Sequence, residues 1–544
     1  MYSHLDFVKG TFETQYAPYS WKSTHTQWDL EQQYQKCREE IARLEKPTVK
    51  DYQRILKNLF ISVKDYHVGV TFFSTERSGL PFSVKSASGK YFISYVDEEK
   101  IRGRPLKVGD ELLTFNGRPI HALIQEIRKR ELGDHPNETD QALAEILLTG
   151  RASALGHRVE RGEVSLAVRK KETNKIKTCT LPWAYVSEQI SEIPLSPQRG
   201  AITAMAAKTP VSLPYQKEGL KSFFQREMVA FVWDKLPMQL NNPHLLGAYK
   251  SFVPPLGRKI WESPDDSAFY AYIFQMPNRE RIGYVRIPHY QGDQEEFEQF
   301  RDIIARMEMQ TEALVIDQLN NPGGGLFHLY ALASTLTDQP LATPKHRLML
   351  TQADVNLAVN IMSAIDAVAD DESAQQSFGE SVQGYPVDER FIELTRQFCD
   401  LIIEEWNAGN LYTKPTFLFG VDEVIPDKVV RYTKPILLLV NNLCFSCGDF
   451  FPAILQDNQR ATVMGTRTAG AGGYVMGIST PNHLGVSGFS MTASIAERMD
   501  HQCLEDLGVT PDVIYEWTEV DLQENYAPYI NAIHSQLQTL IKKG

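Results

Sequence analysis

The run Pro435-Ile436-Leu437-Leu438-Leu439-Val440 is apolar without interruption and leads straight into Asn441-Asn442-Leu443-Cys444-Phe445-Ser446-Cys447-Gly448-Asp449. A short continuous apolar run reads as a strand buried on both faces, which needs layers on either side of it. From Asp449 to Leu455 the chain reads as the opening of a helix. A serine on a tight turn between strand and helix has its hydroxyl exposed and its own amide near a helix N-terminus. That arrangement suits attack from Oγ, with N–H groups ready for a developing oxyanion. It equally suits a serine that only caps the helix. The motif alone leaves both readings open.

At 544 residues the chain is too long for a single core, so two to four domains are expected. The formal net charge is −12, and no basic stripe with interleaved aromatics is present. Nucleic acid and anionic membrane are therefore not expected as partners. No apolar run approaches the roughly 18–20 residues of a membrane span. Met1 to Asp6 carries neither a basic region nor an apolar core, so no signal peptide is read there. Six cysteines (Cys37, Cys179, Cys399, Cys444, Cys447 and Cys503) form no disulfide framework. Cys444-x-x-Cys447 has redox or zinc spacing but no matching second pair, and reduced thiols are the simpler reading. No metal or cofactor is expected.

Along the chain, residues 25–60 read as helical. Leu30, Tyr34, Cys37, Ile41 and Leu44 recur at three- and four-residue steps, and a second helix runs from Tyr52 to Val63. Residues 80–185 change to short strands and turns, centred on Val108-Gly109-Asp110-Glu111-Leu112-Leu113-Thr114-Phe115-Asn116-Gly117. The Asn-Gly pair is a hairpin signal. The stretch resembles the core of PDZ domains, which bind extended peptides by adding a strand to a sheet edge. A β-module with only a structural role stays open. Residues 186–260 are proline-rich and irregular. From Arg281 the pattern becomes α/β, with Ile282–Ile287 and Ala313–Asp317 as buried strands. Residues 353–408 read as a helical insertion, with Phe391, Leu394, Phe398, Leu401, Ile402 and Trp406 on one core-facing stripe.

Four further segments carry chemistry. Asp317-Gln318-Leu319-Asn320-Asn321-Pro322-Gly323-Gly324-Gly325 closes a strand with three glycines, which lets backbone amides face a ligand closely. No Gly-Lys-Ser/Thr follows, so it is not read as a phosphate loop. Thr466-Arg467-Thr468-Ala469-Gly470-Ala471-Gly472-Gly473 is a second glycine turn, and His67 and Glu505 lie in Asp65-Tyr66-His67-Val68-Gly69 and Glu505-Asp506-Leu507-Gly508-Val509-Thr510-Pro511-Asp512. In this order the segments resemble the carboxyl-terminal-processing (tail-specific) serine peptidases over roughly residues 60–515. Within that superfamily Asp65-Tyr66-His67, Ser446-Cys447-Gly448-Asp449 and Tyr16–Lys22 are most similar to a chlamydial, histidine-using branch.

The resemblance implies an α/β fold: a crotonase-like ββα spiral catalytic core with an N-terminal helical segment and an inserted PDZ-like β module. It implies Ser446 as nucleophile, His67 as base and Glu505 as the carboxylate that orients the imidazole. Many relatives place a base lysine where this chain has Ala471, so His67 has to supply the base. His289, His328 and His483 are rivals for His67, and Glu497 and Asp506 are rivals for Glu505. The oxyanion hole is expected from the Cys447 amide with one amide of Gly323 or Gly324. The expected domains are 1–80 (helical, carrying the base), 81–186 (PDZ-like), 187–259 (irregular) and 260–544 (catalytic). The implied activity is that of a serine endopeptidase on protein or peptide substrates, with a homodimer among the expected states and export or secretion following from the chlamydial likeness. A non-catalytic peptide or ligand binder on the same fold is the alternative; acyl-CoA chemistry fits less well. Residues 187–255 are expected either to cover the groove or a dimer surface until self-cleavage near Met205 or Ser222, or to pack as an ordinary surface excursion.

Overall fold

The computed structural model describes residues 1–135, 137–189, 242–543 and the backbone of 227–229. At its centre is a seven-stranded sheet in the spatial order 258–262, 271–275, 281–286, 313–317, 436–440, 462–465 and 513–514. The first three strands run antiparallel to one another, and every pairing from 281–286 onward is parallel. Ala313–Asp317 and Ile436–Val440 are buried along their whole length, as an uninterrupted apolar run requires. Their side chains alternate between two cores. Leu314, Ile316, Ile436, Leu438 and Val440 face helices Gln294–Gln310, Leu326–Ser334 and Cys447–Asp457. Ala313, Val315, Leu437 and Leu439 face the C-terminal helix Ala527–Lys543.

Arg286 and Asp317 close the carboxyl ends of two of these strands. The Arg286 guanidinium is 1 % exposed and donates to Asp317 Oδ1 at 3.0 Å and to the Ala248 carbonyl at 3.2 Å. Asp317 also accepts the Tyr284 hydroxyl and the Leu319 amide. Every polar atom in this knot that water could otherwise solvate has a protein partner.

Residues 82–182 form a six-stranded antiparallel sheet. The hairpin read from Asn-Gly is present: Thr114 pairs with Pro119 and Phe115 with Arg118, and Asn116 (φ 49°) and Gly117 (φ 73°) are both left-handed. Two helices cover this sheet, Ile120–Ile127 and Glu138–Thr149, where the sequence reads as strands and turns alone. Their apolar residues fill the module's own core, so burial outweighs a weak local signal.

The N-terminal segment, expected to be helical over 1–80, carries helices Tyr2–Gln15 and Tyr19–His25, which the sequence reading did not place individually, and then Leu30–Arg43 and Val49–Ser62. Asp29 and Thr48 cap the last two, which are the two helices read across 25–63. This segment has no separate core. Its buried face, including Phe12, Tyr16, Tyr52 and Phe60, packs against Leu484, Val486, Phe489 and Met491 from near the far end of the chain. Strand Gly69–Phe72 pairs antiparallel with Val486–Thr492. The insertion consists of helices Gln352–Ile365, Asp371–Phe378 and Glu389–Asn407 with a small hairpin between the last two. Phe391, Phe398 and Ile402 are buried as expected, but Trp406 is 39 % exposed because the last helical turn runs past the core.

Replacing Arg286 by methionine strands the Asp317 carboxylate in the interior. The variant is expected to lose about 3–5 kcal/mol, read as a lower denaturation midpoint for the core.

Candidate active site

Strand Ile436–Val440 delivers the chain to a turn at Asn441–Ser446, and helix Cys447–Asp457 leaves it. Ser446 sits at the junction with φ 57° and ψ −115°. A residue with a Cβ rarely adopts that backbone, and such strain persists only where surrounding bonds over-determine it. Those bonds come chiefly from Asp449. Its buried carboxylate accepts the Ser446 amide at 2.7 Å, the Gly470 amide at 2.8 Å and the Ala471 amide at 3.1 Å. The second glycine turn is thereby bolted to the serine turn. Glycine is required there at Gly470 (φ 80°), where a Cβ would meet Asp506 backbone at 2.9 Å.

A second layer of amides joins the serine turn to the strand-end loop 317–325. Asn321 accepts the Phe445 amide at 2.9 Å through its carbonyl, and Gln318 Nε2 donates to the Gly448 carbonyl at 2.8 Å. Asn441 and Asn320 exchange two bonds, 2.9 and 2.7 Å. Gly324 (φ 151°) lies against the Tyr290 backbone, where an added Cβ would come within 2.3 Å of Tyr290 C. The Gly323 amide is spent on Asn321 Oδ1 at 2.8 Å, so of the two expected donors only Gly324 is left without that commitment. The backbone of Glu227–Val229 pairs antiparallel on Gly323–Gly325, with Met228 opposite Gly324.

His67 reaches the same region from the N-terminal half. Its amide donates to Asp65 Oδ1 at 2.8 Å and its carbonyl accepts Ser490 Oγ at 2.6 Å. Asp65 Oδ2 accepts Tyr16 Oη and Thr492 Oγ1, so its carboxylate orients the loop. Tyr66 packs on Phe445, ring centroids 5.4 Å apart, which sets the residues before His67 and Ser446 edge to face. Both ring nitrogens of His67 and Ser446 Oγ are buried and hydrogen-bond to none of the described residues. Burial pushes the imidazole down from 6.5 to about 4; Asp65 opposes this and Lys22 adds to it.

Glu505 is likewise buried, but it is fully engaged. Oε2 accepts the Gly472 amide at 3.0 Å and Oε1 pairs with Lys22 Nζ at 2.6 Å. The fold thus gathers Ser446, His67 and Glu505 into adjoining loops without a direct bond among them. Of the rivals, Asp506 is held by Lys22 and Trp21, and Glu497 pairs with Arg347 of the neighbouring strand. His328 bonds the Gln383 carbonyl and lies against Gly292. All six cysteines are buried and none is in a disulfide. Burial drives the Cys447 thiol well above its ordinary value, and its Sγ contacts the Gly324 carbonyl at 3.3 Å, so it is not poised as a nucleophile.

Residues 281–515 match peptidase family S41, and residues 76–190 match a PDZ domain. A Chlamydia pneumoniae protein is 34 % identical over the whole of this chain and 90 % of its own length. The chain belongs to peptidase family S41. A solved structure of mature CPAF complexed with lactacystin superposes with a TM-score of 0.84 at 30 % identity, covering 100 % of this chain and 98 % of that one. A carboxy-terminal-processing protease of Bartonella bacilliformis is 31 % identical over 20 % of this chain and 24 % of its own. With the α/β sheet, the PDZ domain and these relatives, this S41 chain is a serine protease acting on peptides or proteins. No helix among the described residues is long and apolar enough to cross a membrane.

Sequence reasoning found the loops but missed how they are fastened. Asp449 entered only as a motif letter, and Gln318, Asn321 and Lys22 had no assigned role, because a polar side chain carries no sign in the sequence of what it will bond. Asp449→Asn offers one acceptor oxygen where the carboxylate has two. At least one of three buried amides is then unpaired, at about 1–3 kcal/mol, and a lower unfolding midpoint than wild type is expected.

Proposed function

We propose that this chain is a serine endopeptidase in which Ser446 attacks the scissile carbonyl, His67 takes the Oγ proton and returns it to the leaving amine, and Glu505 stabilises the imidazolium. The observation that carries the reading is Ser446 itself: a strained, left-handed serine on a strand-to-helix turn, held in that conformation by a buried carboxylate. The amides of Cys447 and Gly324 are the proposed oxyanion donors. The acyl-enzyme formed on Ser446 would then be cleaved by water, with His67 acting as base a second time. In this assignment residues 1–80 supply the base, 81–186 the PDZ-like module and 260–544 the nucleophile and the carboxylate.

The proposal includes latency. Supporting it, Glu227–Val229 adds an antiparallel strand to Gly323–Gly325, the way an extended peptide joins a sheet edge. A substrate lying there would compete with the chain's own segment. The structure similar to this chain that is described as mature is consistent with a processed active form. The expected cut sites near Met205 and Ser222, and the apolar residues 230–233, lie outside the described residues. Self-cleavage within 187–255 would release the strand and allow Ser446, His67 and Glu505 to close on one another.

Two measurements test this. Incubated wild-type chain, followed by mass spectrometry, is expected to show cuts within 187–255 that precede a rise in peptide hydrolysis. Ser446→Ala is expected to stay folded, uncut and inactive, and substantial hydrolysis by that variant would sink the assignment. The second measurement is pH. A base held below 6.5 stays neutral further into acid, so the acid limb of kcat/KM should lie between about 4 and 6.5. His67→Ala should remove that limb together with most of the activity.

A further inference from the structure

Lys22 sits on the short helix Tyr19–His25, more than 400 residues from the segment it touches. Its side chain is 0 % exposed. The ammonium lies 2.6 Å from Glu505 Oε1, 2.6 Å from Asp506 Oδ1 and 2.9 Å from the Lys64 carbonyl. An ammonium has three N–H donors, and all three are used. Burying such a charge costs several kcal/mol unless its partners are this well placed. Two of the acceptors belong to the Glu505 segment, and the third is three residues before His67. One nitrogen therefore ties the loop bearing the carboxylate to the loop bearing the histidine.

We propose that Lys22 is a positioning residue for hydrolysis, whose ammonium holds the Glu505 carboxylate in place beside the His67 loop. The inference rests on the assignment of Glu505 as the partner of His67. The charges around it agree with that role. Burial, then Asp65, raise the Glu505 carboxyl above its ordinary value, and Lys22 is the group that opposes them. Removing the ammonium would push Glu505 further towards the protonated acid, which has no negative charge to offer an imidazolium. Lys22 is not itself a base: burial lowers its affinity for protons, but Glu505, Asp506 and Asp65 outweigh that and raise it above the ordinary value. The other titratable groups facing the cluster are Tyr16, His67, His135, Lys64 and Cys503. Of these, His67, His135 and Lys64 are the groups that can carry positive charge. His135 is held neutral, first by burial and then by Lys22 and Lys64, and Lys64 carries its charge away on its own side chain, towards the Asp134 carbonyl.

The test is a double-variant cycle on the processed, active enzyme: wild type, Lys22→Met, Glu505→Gln and the two combined, with thermal unfolding recorded for each. Lys22→Met is expected to lower kcat by about tenfold or more. It should also move the acid limb of kcat/KM upward, because no ammonium then disfavours the imidazolium. Lys22→Arg, which keeps the charge, should leave the limb in place. In the Glu505→Gln background, Lys22→Met should cost less than about threefold in kcat, since a neutral amide needs no cation. A purely structural lysine would shift the unfolding midpoint and leave the limb unmoved. Folded Lys22→Met with kcat within about twofold of wild type and an unmoved limb overturns the proposal. An undiminished effect of Lys22→Met in the Glu505→Gln background does the same. Should Lys22→Met fail to fold, the combined variant, which removes both charges, decides by that same comparison. Full activity in Glu505→Gln overturns this proposal and the triad together, whereas loss there with no coupling to Lys22 removes only the role of Lys22.

Discussion

The site depends on one buried carboxylate. Asp449 gathers the amide of Ser446 and the amides of Gly470 and Ala471 onto two oxygens. It therefore fixes the strained serine and aligns it with the turn that precedes the Glu505 segment. Around Asp449, burial favours the protonated acid and the hydrogen bonds it accepts pull the other way, which on balance leaves the carboxyl raised to about 7. Those bonds keep the turn in one conformation, because each amide they hold would otherwise be unpaired in the interior. Gln318, Asn321 and Asn441 extend the same logic to the glycine loop, where side-chain amides replace the ladder that the strands have already left.

The two halves of the proposed chemistry come from opposite ends of the chain, and their meeting is a matter of packing. His67 lies just before a strand that pairs with Val486–Thr492, and Asp65 bonds Thr492 from the same sheet. Phe12, Tyr16 and Phe60 share one core with Phe489 and Met491. The N-terminal helices therefore act as the back wall of the site, and Lys22 is their one buried cation bound to the Glu505 segment. A domain that folded by itself could not fix the His67 loop against the Ser446 turn, nearly 400 residues away in the chain. A shared core can, since close-packed interiors resist displacement.

In the structure Ser446 Oγ and both nitrogens of His67 are buried and hydrogen-bond to none of the described residues, and Glu505 is bound to Lys22 and the Gly472 amide. Unsatisfied buried polar atoms are costly, so their concentration at one place marks a site built for a partner or for rearrangement. The strand Glu227–Val229 lies across the glycine loop in the same state. In the proposed latency, removal of that strand and re-pairing of the three side chains would be the same event.

The periodicity of the sequence determined the central strands, the insertion helices and the Asn-Gly hairpin, because each is set by residues close together in the chain. The glycine turns and the strand–serine–helix motif were legible for the same reason: a left-handed turn needs glycine locally, and a doubly buried strand needs an unbroken apolar run. The first two N-terminal helices and the two helices of the PDZ domain were not, since their apolar faces take meaning only from the surfaces they cover. Trp406 fell outside the core its periodicity pointed to, where the helix end outruns the packing. Only the tertiary structure decided which polar groups meet. Lys22 with Glu505, Asp449 with Gly470, and Asn321 with Gly323 are pairings between segments or across turns whose energy lies in burial and distance, and neither is written in the order of residues.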